Sequence, residues 1–429
     1  MRSDNTGRYL KKYSSRLYNI ESEINTCRYA VVIPSIAEYE NIKKFLECFS
    51  RIDNFYFKDS LLLFVINNHQ NSPPVVKEDN QQSLNLLRGM MKDPLFRETG
   101  IQIGIIDAST EGNELPEKDA GVGLARKTGM DAVLKMFPHE EKGIIICTDA
   151  DCTFKRNYLT EIVNKFKENN VDAAVINFEH PLDDPDTVEA AVCYEIFLRY
   201  YVAGLNISLS PFAFHTIGSA MACSSDAYIN VEGMNKRKAA EDFYFLEKLA
   251  KKYSILKINH TTVYPAARKS WRVPFGTGQR VTRFFSNKDM EYFIYDPKCF
   301  FNVLKLWHEL FFNNDIFTAE EYLNSADKIN ANLGRFLRQQ GFEKDWLNII
   351  KNIKNTSGII KQKIRWFDGF RTLKLVHFLR DTEYKLIPMF DALDELFLYT
   401  SGMVIHRDET IPDITLQTRY LKHLKELDK

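Results

Sequence analysis

Two carboxylates separated by one small residue, Asp149-Ala150-Asp151, stand directly behind a β-branched apolar run, Ile144-Ile145-Ile146-Cys147. Acids so close repel each other unless a cation lies beside them. Hard oxygen donors suit Mg²⁺ or Mn²⁺, and such cations usually arrive with the phosphates of a substrate. A second acidic pair, Glu241-Asp242, opens a stretch with helical spacing. A carboxylate there can take a proton from a hydroxyl; it can also do no more than offset the positive end of a helix. Upstream, Gly121-Val122-Gly123 runs into Leu124-Ala125-Arg126-Lys127, a glycine-spaced turn that suits close approach of backbone N–H groups to an anion. Arg268 and Arg272 precede Gly276-Thr277-Gly278 and read either as a clamp on a diphosphate or as solvated arginines of a surface turn. His260 and His215 are candidate third metal ligands, set against the commoner structural role of a lone histidine.

Such groups do chemistry only where strands and helices bring them together. Tyr29 to Pro34, Leu61 to Ile66, Ile101 to Ile106, Ile144 to Cys147 and Ala173 to Phe178 are short and apolar throughout, the mark of strands buried in a parallel sheet. Ile255 to Asn259 reads as a further strand, and His215 to Ala222 as a small-residue strand or loop. Helices are predicted over Tyr39 to Ser50, Gln82 to Met91, the Gly121 turn to Phe137, Tyr158 to Asn169, Thr187 to Gly204 and Phe243 to Tyr253. That alternation is an α/β pattern. The Asp149-Asp151 pair then emerges at the carboxyl end of a strand, where open α/β sheets bind ligands. From about Asn287, helical stripes such as Phe300, Leu304, Trp307 and Leu310 take over. The expected division is an N-terminal extension, 1–28, an α/β domain, 29–285, and a helical C-terminal domain, 286–429.

The 429 residues are 45% hydrophobic, so a sizeable core is available, and 57 basic residues match 57 acidic ones. That balance argues against a protein whose main task is gripping nucleic acid. Seven cysteines are scattered without metal-finger spacing, as expected of reduced cytoplasmic thiols. No run of about 18 apolar residues occurs, since Ala190 to Leu205 is broken by Glu195 and Arg199. The stretch around Arg8, Lys11, Lys12 and Arg16 lacks the apolar core of a signal peptide. A cytoplasmic protein is expected. Basic and aromatic residues between Lys351 and Arg371, Lys354 among them, leave a peripheral contact with the inner membrane face open. Self-association into a homo-oligomer is open too.

Taken in order, Val31-Val32-Ile33-Pro34 with Glu38, the Gly-x-x-x-Ala-Arg-Lys-x-Gly run from Gly121 to Gly129, Thr148-Asp149-Ala150-Asp151 and Glu241-Asp242 resemble the family 2 glycosyltransferases over roughly Tyr29 to Arg283. The resemblance implies a GT-A fold, a Rossmann-like and mostly parallel central sheet flanked by helices, here followed by the helical domain. It implies transfer of a sugar from a nucleotide-diphosphate donor to an acceptor hydroxyl, with Mg²⁺ or Mn²⁺. By position, Pro34, Ala37, Glu38 and Asn68 would bind the nucleotide, and Arg126 would lie near the base or diphosphate. Asp149 would contact ribose or metal, and Asp151 would be the principal metal ligand. Asp242, with Glu241 beside it, would be the general base, and one base opposite the leaving group favours inversion.

The chain departs from the pattern in two places. Asn67-Asn68 stands where the family usually keeps an Asp pair, and asparagine offers donors as well as an acceptor. The Gln-x-x-Arg-Trp signature of processive synthases is absent, which favours a non-processive enzyme. The acceptor, whether carbohydrate, lipid-linked or small molecule, does not follow from spacing. Two rivals stand beside this reading. A nucleotidyltransferase would carry a Gly-rich, Arg/Lys-bearing loop after the first strand, which Pro34 to Tyr39 lacks. A catalytically silent scaffold would keep the fold without the turnover.

Overall fold

The apolar runs of the N-terminal half become the centre of a nine-stranded sheet. The computed structural model describes residues 2–14, 16–268, 277–353 and 355–428. In chain order the strands are β1 (Glu21–Ser22), β2 (Tyr29–Ser35), β3 (Ser60–Asn67), β4 (Ile103–Ala108), β5 (Ile144–Cys147), β6 (Cys152–Phe154), β7 (Ala173–Phe178), β8 (Met221–Ser224) and β9 (Leu256–Pro265). They lie in the spatial order β1-β4-β3-β2-β5-β8-β7-β9-β6. β4, β3, β2 and β5 run parallel. Every residue of β2 and β3 is buried, which is why both read as unbroken apolar runs. β8 enters antiparallel between β5 and β7, and β9 pairs parallel with β7 and antiparallel with β6.

Successive strands step from β2 to β3 to β4 on one side, and β5 then returns to the other side of β2. This reversal makes a switch point at the carboxyl ends of β2 and β5, the place where open α/β sheets take ligands. Helices α1 (Arg2–Tyr13), α2 (Tyr39–Phe49), α3 (Pro74–Lys92), α4 (Pro94–Glu98), α5 (Val122–Val133) and α6 (Tyr158–Asn169) flank the sheet and its edges. α5 is buried from Gly123 to Val133, and its glycines explain how. A Cβ on Gly129 would lie 2.5 Å from Val32 and 2.9 Å from Val65, so only glycine lets the helix lie this close to β2 and β3.

Two compact units result. The first is Met1–Asp184 with Thr216–Gln279, and the second is Pro185–His215 with Arg280–Lys429. α7 (Val188–Ile207) belongs to the second unit, whereas α8 (Ser225–Asn230) and α9 (Glu241–Ala250) belong to the first. Glu195 and Arg199, which interrupt the apolar run of α7, are fully buried and paired at 2.9 Å. No described helix is long and apolar enough to cross a membrane.

Apart from a two-stranded antiparallel sheet, β10 (Phe293–Ile294) with β11 (Ile387–Pro388), the rest of the second unit is mostly helical, with α12 (Lys305–Phe311), α13 (Ala319–Ile329), α15 (Phe342–Asn352) and α16 (Thr356–Trp366) among its elements, numbered after α10 (Thr277–Ser286) and α11 (Lys288–Glu291), with α14 (Ala331–Gln339) between. Trp307, Phe311, Tyr322, Phe342, Trp346 and Trp366 make its aromatic core. Lys363, expected on a basic surface, is wholly buried there. Its ammonium donates to the carbonyls of Asn313 and Asp315 at 2.9 and 2.6 Å, and burial lowers its pKa to about 8. Lys354 lies outside the described residues. All seven cysteines are free thiols; six are buried and Cys48 is half-buried.

Candidate functional site

The site is built from two turns and one loop at the carboxyl edge of the sheet. The first turn follows β2. Pro34 is buried within that strand, opposite Val65. Ala37 then takes a left-handed backbone, φ +52°, which a residue with a Cβ adopts only when its surroundings enforce it. Asn80 of α3 does so. Its Oδ1 accepts from the Ala37 amide at 2.9 Å, while Asp79 accepts from the Tyr39 amide at 3.0 Å. Glu38 follows, buried at the end of this turn.

The second turn follows β5 and carries Asp149, Ala150 and Asp151, with Ala150 buried between the acids. Arg126, fully buried on α5, reaches this turn and donates to Asp149 Oδ1 at 2.7 Å and to Glu241 Oε1. A Cβ on Gly218 would lie 2.7 Å from the Arg126 guanidinium, so this glycine makes room for it. Burial alone would lower the pKa of Arg126, but Asp149 and Glu241 override it and raise it. Burial raises the Asp149 carboxyl; Arg126 opposes that and Asp151 adds to it.

Arg268, three residues beyond β9, joins the two turns. Its Nε donates to Asp151 Oδ2 at 2.9 Å and its Nη2 donates to Glu38 Oε1 at 2.6 Å. Glu241 and Asp242 open α9 behind Ala240, another left-handed alanine, φ +57°. Glu241 is buried and accepts from Arg126. Asp242 stays partly exposed. Burial of its carboxyl, with Glu241 beside it, raises the pKa to about 7 against the pull of Arg126.

Several expectations are corrected. Asn68 does not face a base: its Nδ2 donates to the carbonyls of His69 and Ser109, and its Oδ1 accepts from Asn80. It closes the end of β3 instead. His260 is no third ligand. It is exposed on β9, near Asn157, which donates to its carbonyl. The register that sets Cys152 opposite Pro265 and Phe154 opposite Val263 carries His260 away from Asp151. His215 lies in the helical unit and meets Asp428 at 3.0 Å. The turn at Gly121 is no open anion cradle, because a Cβ on Gly121 would meet Lys238 at 2.9 Å and one on Gly123 the Arg237 carbonyl at 2.2 Å. These glycines admit the neighbouring loop. Arg272 lies outside the described residues. Asn80, which sequence reasoning missed, is signalled only by being a polar residue on the inward face of α3.

Among the described residues no three His, Cys, Asp or Glu side chains gather as a metal cage. Asp151 and Asp149 nonetheless fit a cation whose remaining ligands are water and substrate phosphate. The Asp151 carboxylate already holds a cation here, the guanidinium of Arg268.

Fold and site together define an α/β protein whose paired acids and arginines gather at a sheet switch point. Residues 114–231, somewhat over a quarter of the chain, match the profile of Glycosyl transferase family 2. The match takes in Arg126, Asp149 and Asp151. No curated protein matches the chain. Among solved structures it is similar to S. aureus TarS 1-349 in complex with UDP-GlcNAc, at 11% identity over 79% of this chain and 91% of that one, TM-score 0.40. It is also similar to the mannosyltransferase PcManGT from Pyrobaculum calidifontis in complex with GDP-Man and Mn²⁺, at 12% identity over 88% and 93%, TM-score 0.37. A third is glucosyl-3-phosphoglycerate synthase from Mycobacterium tuberculosis in complex with Mn²⁺, UDP and glucosyl-3-phosphoglycerate, at 12% identity over 59% and 73%, TM-score 0.34.

Proposed function

We propose that this protein is a transferase that moves a sugar from a nucleotide-diphosphate donor to an acceptor hydroxyl, with inversion and without processivity, in the assembly of a glycan or glycoconjugate. One observation carries the reading: Glu38, Arg268, Asp151, Asp149 and Arg126 converge in bonded contact at the switch of the sheet. Asp151 and Asp149 would hold a divalent cation, which when bound supplies positive charge against the leaving diphosphate. Arg126 fixes the Asp149 carboxylate by a charged bond that burial strengthens. Glu38 and the strained Ala37 turn border the nucleotide. Asp242 takes the acceptor proton, a role its raised pKa suits near neutral pH.

The reading is tested by calorimetric titration of UDP, GDP, CDP, ADP and dTDP with Mn²⁺ and with EDTA. One diphosphate should bind with Mn²⁺, and binding should vanish with EDTA and in Asp151→Ala. If none binds in either condition, the silent scaffold takes its place.

A further inference from the structure

Arg268 stands where a cation would stand. Its Nη2 lies 2.8 Å from Asp151 Oδ2, the same oxygen that accepts from its Nε, and it also bonds Glu38. A guanidinium and a divalent cation cannot share one carboxylate oxygen at contact distance, because their charges repel strongly at a few ångströms. A cation taken up on Oδ2 therefore evicts the guanidinium from Asp151. The side chain is free to go: Arg268 is 31% exposed, whereas Arg126, at 1%, is locked between Asp149 and Glu241. The arginine nevertheless starts close to the acids, since β9 ends at Pro265 and pairs there with Cys152, the residue after Asp151. A guanidinium turned away from two carboxylates needs another anion, and its planar fork fits phosphate oxygens well.

We infer that Arg268 is an exchangeable counter-ion: in the empty site it holds Asp151 and Glu38 in place of the cation, and on loading it passes to the diphosphate, so that cation and nucleotide bind with positive coupling. This rests on the donor-site reading above. Metal alone must evict Arg268 with no compensation, and nucleotide alone meets an arginine already engaged. Together, each removes the obstacle to the other, and the coupling is reciprocal.

The test is Mn²⁺ binding followed by electron paramagnetic resonance of the free ion, without nucleotide and with whichever of UDP, GDP, CDP, ADP or dTDP binds the wild type. Arg268→Gln should bind Mn²⁺ alone about tenfold more tightly, because the competing cation is gone. It should bind the Mn²⁺–diphosphate pair about fivefold more weakly, having lost a charged hydrogen bond. The factor by which nucleotide improves Mn²⁺ affinity should therefore fall at least about tenfold. Arg268→Lys, which keeps charge without the fork, should lie between. Unchanged or weaker Mn²⁺ binding by Arg268→Gln in the absence of nucleotide overturns the exchange, with the donor site itself intact. A wild type to which none of the five diphosphates binds, with or without Mn²⁺, sinks the donor site and the exchange with it.

Discussion

If Asp242 is the proposed base, its one carboxyl ties catalysis to stability. Its pKa is pushed up to about 7 from an ordinary 3.8, first by burial and then by Glu241. As a base it works ionised, so kcat should rise with pH through about 7 and then level. Asp242→Asn should lower kcat by about 10²–10⁴-fold, the usual share of a general base. The stability effect has the opposite sense. Between about pH 4 and 7 the folded chain keeps a proton that the unfolded chain has released, so stability falls as pH rises across that window. Asp242→Asn should therefore melt above wild type by a margin that opens over the window and is constant beyond it. A thermal series from pH 4 to 8 checks both sign and range. Asn68 and His260 illustrate what residue type alone does not reveal. Both are competent ligands by chemistry, but a neighbour's side chain decides the first and a strand register decides the second.

Among the elements, the buried ones were the legible ones. β5, β7 and α6 have the bounds their apolar patterns predict, because burial on both faces or along one stripe leaves a pattern nothing else imitates. β1 and β6 were invisible: two or three residues on a sheet edge carry no period. α3 begins at Pro74, eight residues before the predicted Gln82, because its first turns face inward through Val76 and the polar Asn80. The Ala37 and Ala240 turns left no mark either, since alanine does not announce a positive φ as glycine does. α1 is a further case. Tyr9 donates to Asp131 at 2.8 Å and accepts from Lys127 at 2.9 Å, which fastens this N-terminal helix to α5 beside Arg126. Tyr9→Phe leaves that buried pair one partner short and should cost about 1–3 kcal/mol in urea unfolding.

At the scale of the whole chain, function and folding meet through mass action. A ligand that binds only the folded protein adds about 2.7 kcal/mol at a hundred times its Kd. For the unit that carries the site, this should raise Tm by about 5–10 °C with Mn²⁺ and the cognate diphosphate together. By the exchange at Arg268, either one alone should give much less, and differential scanning fluorimetry measures all three. The thiols offer a view of the same event in time. Cys147 and Cys152 bracket the Asp149–Asp151 turn, both buried, with burial holding their pKa values well above the ordinary range. Alkylation needs an exposed thiolate, so these two should react only during the moments when the turn opens. Their labelling rate is a clock for that opening, and a loaded site should run it slow.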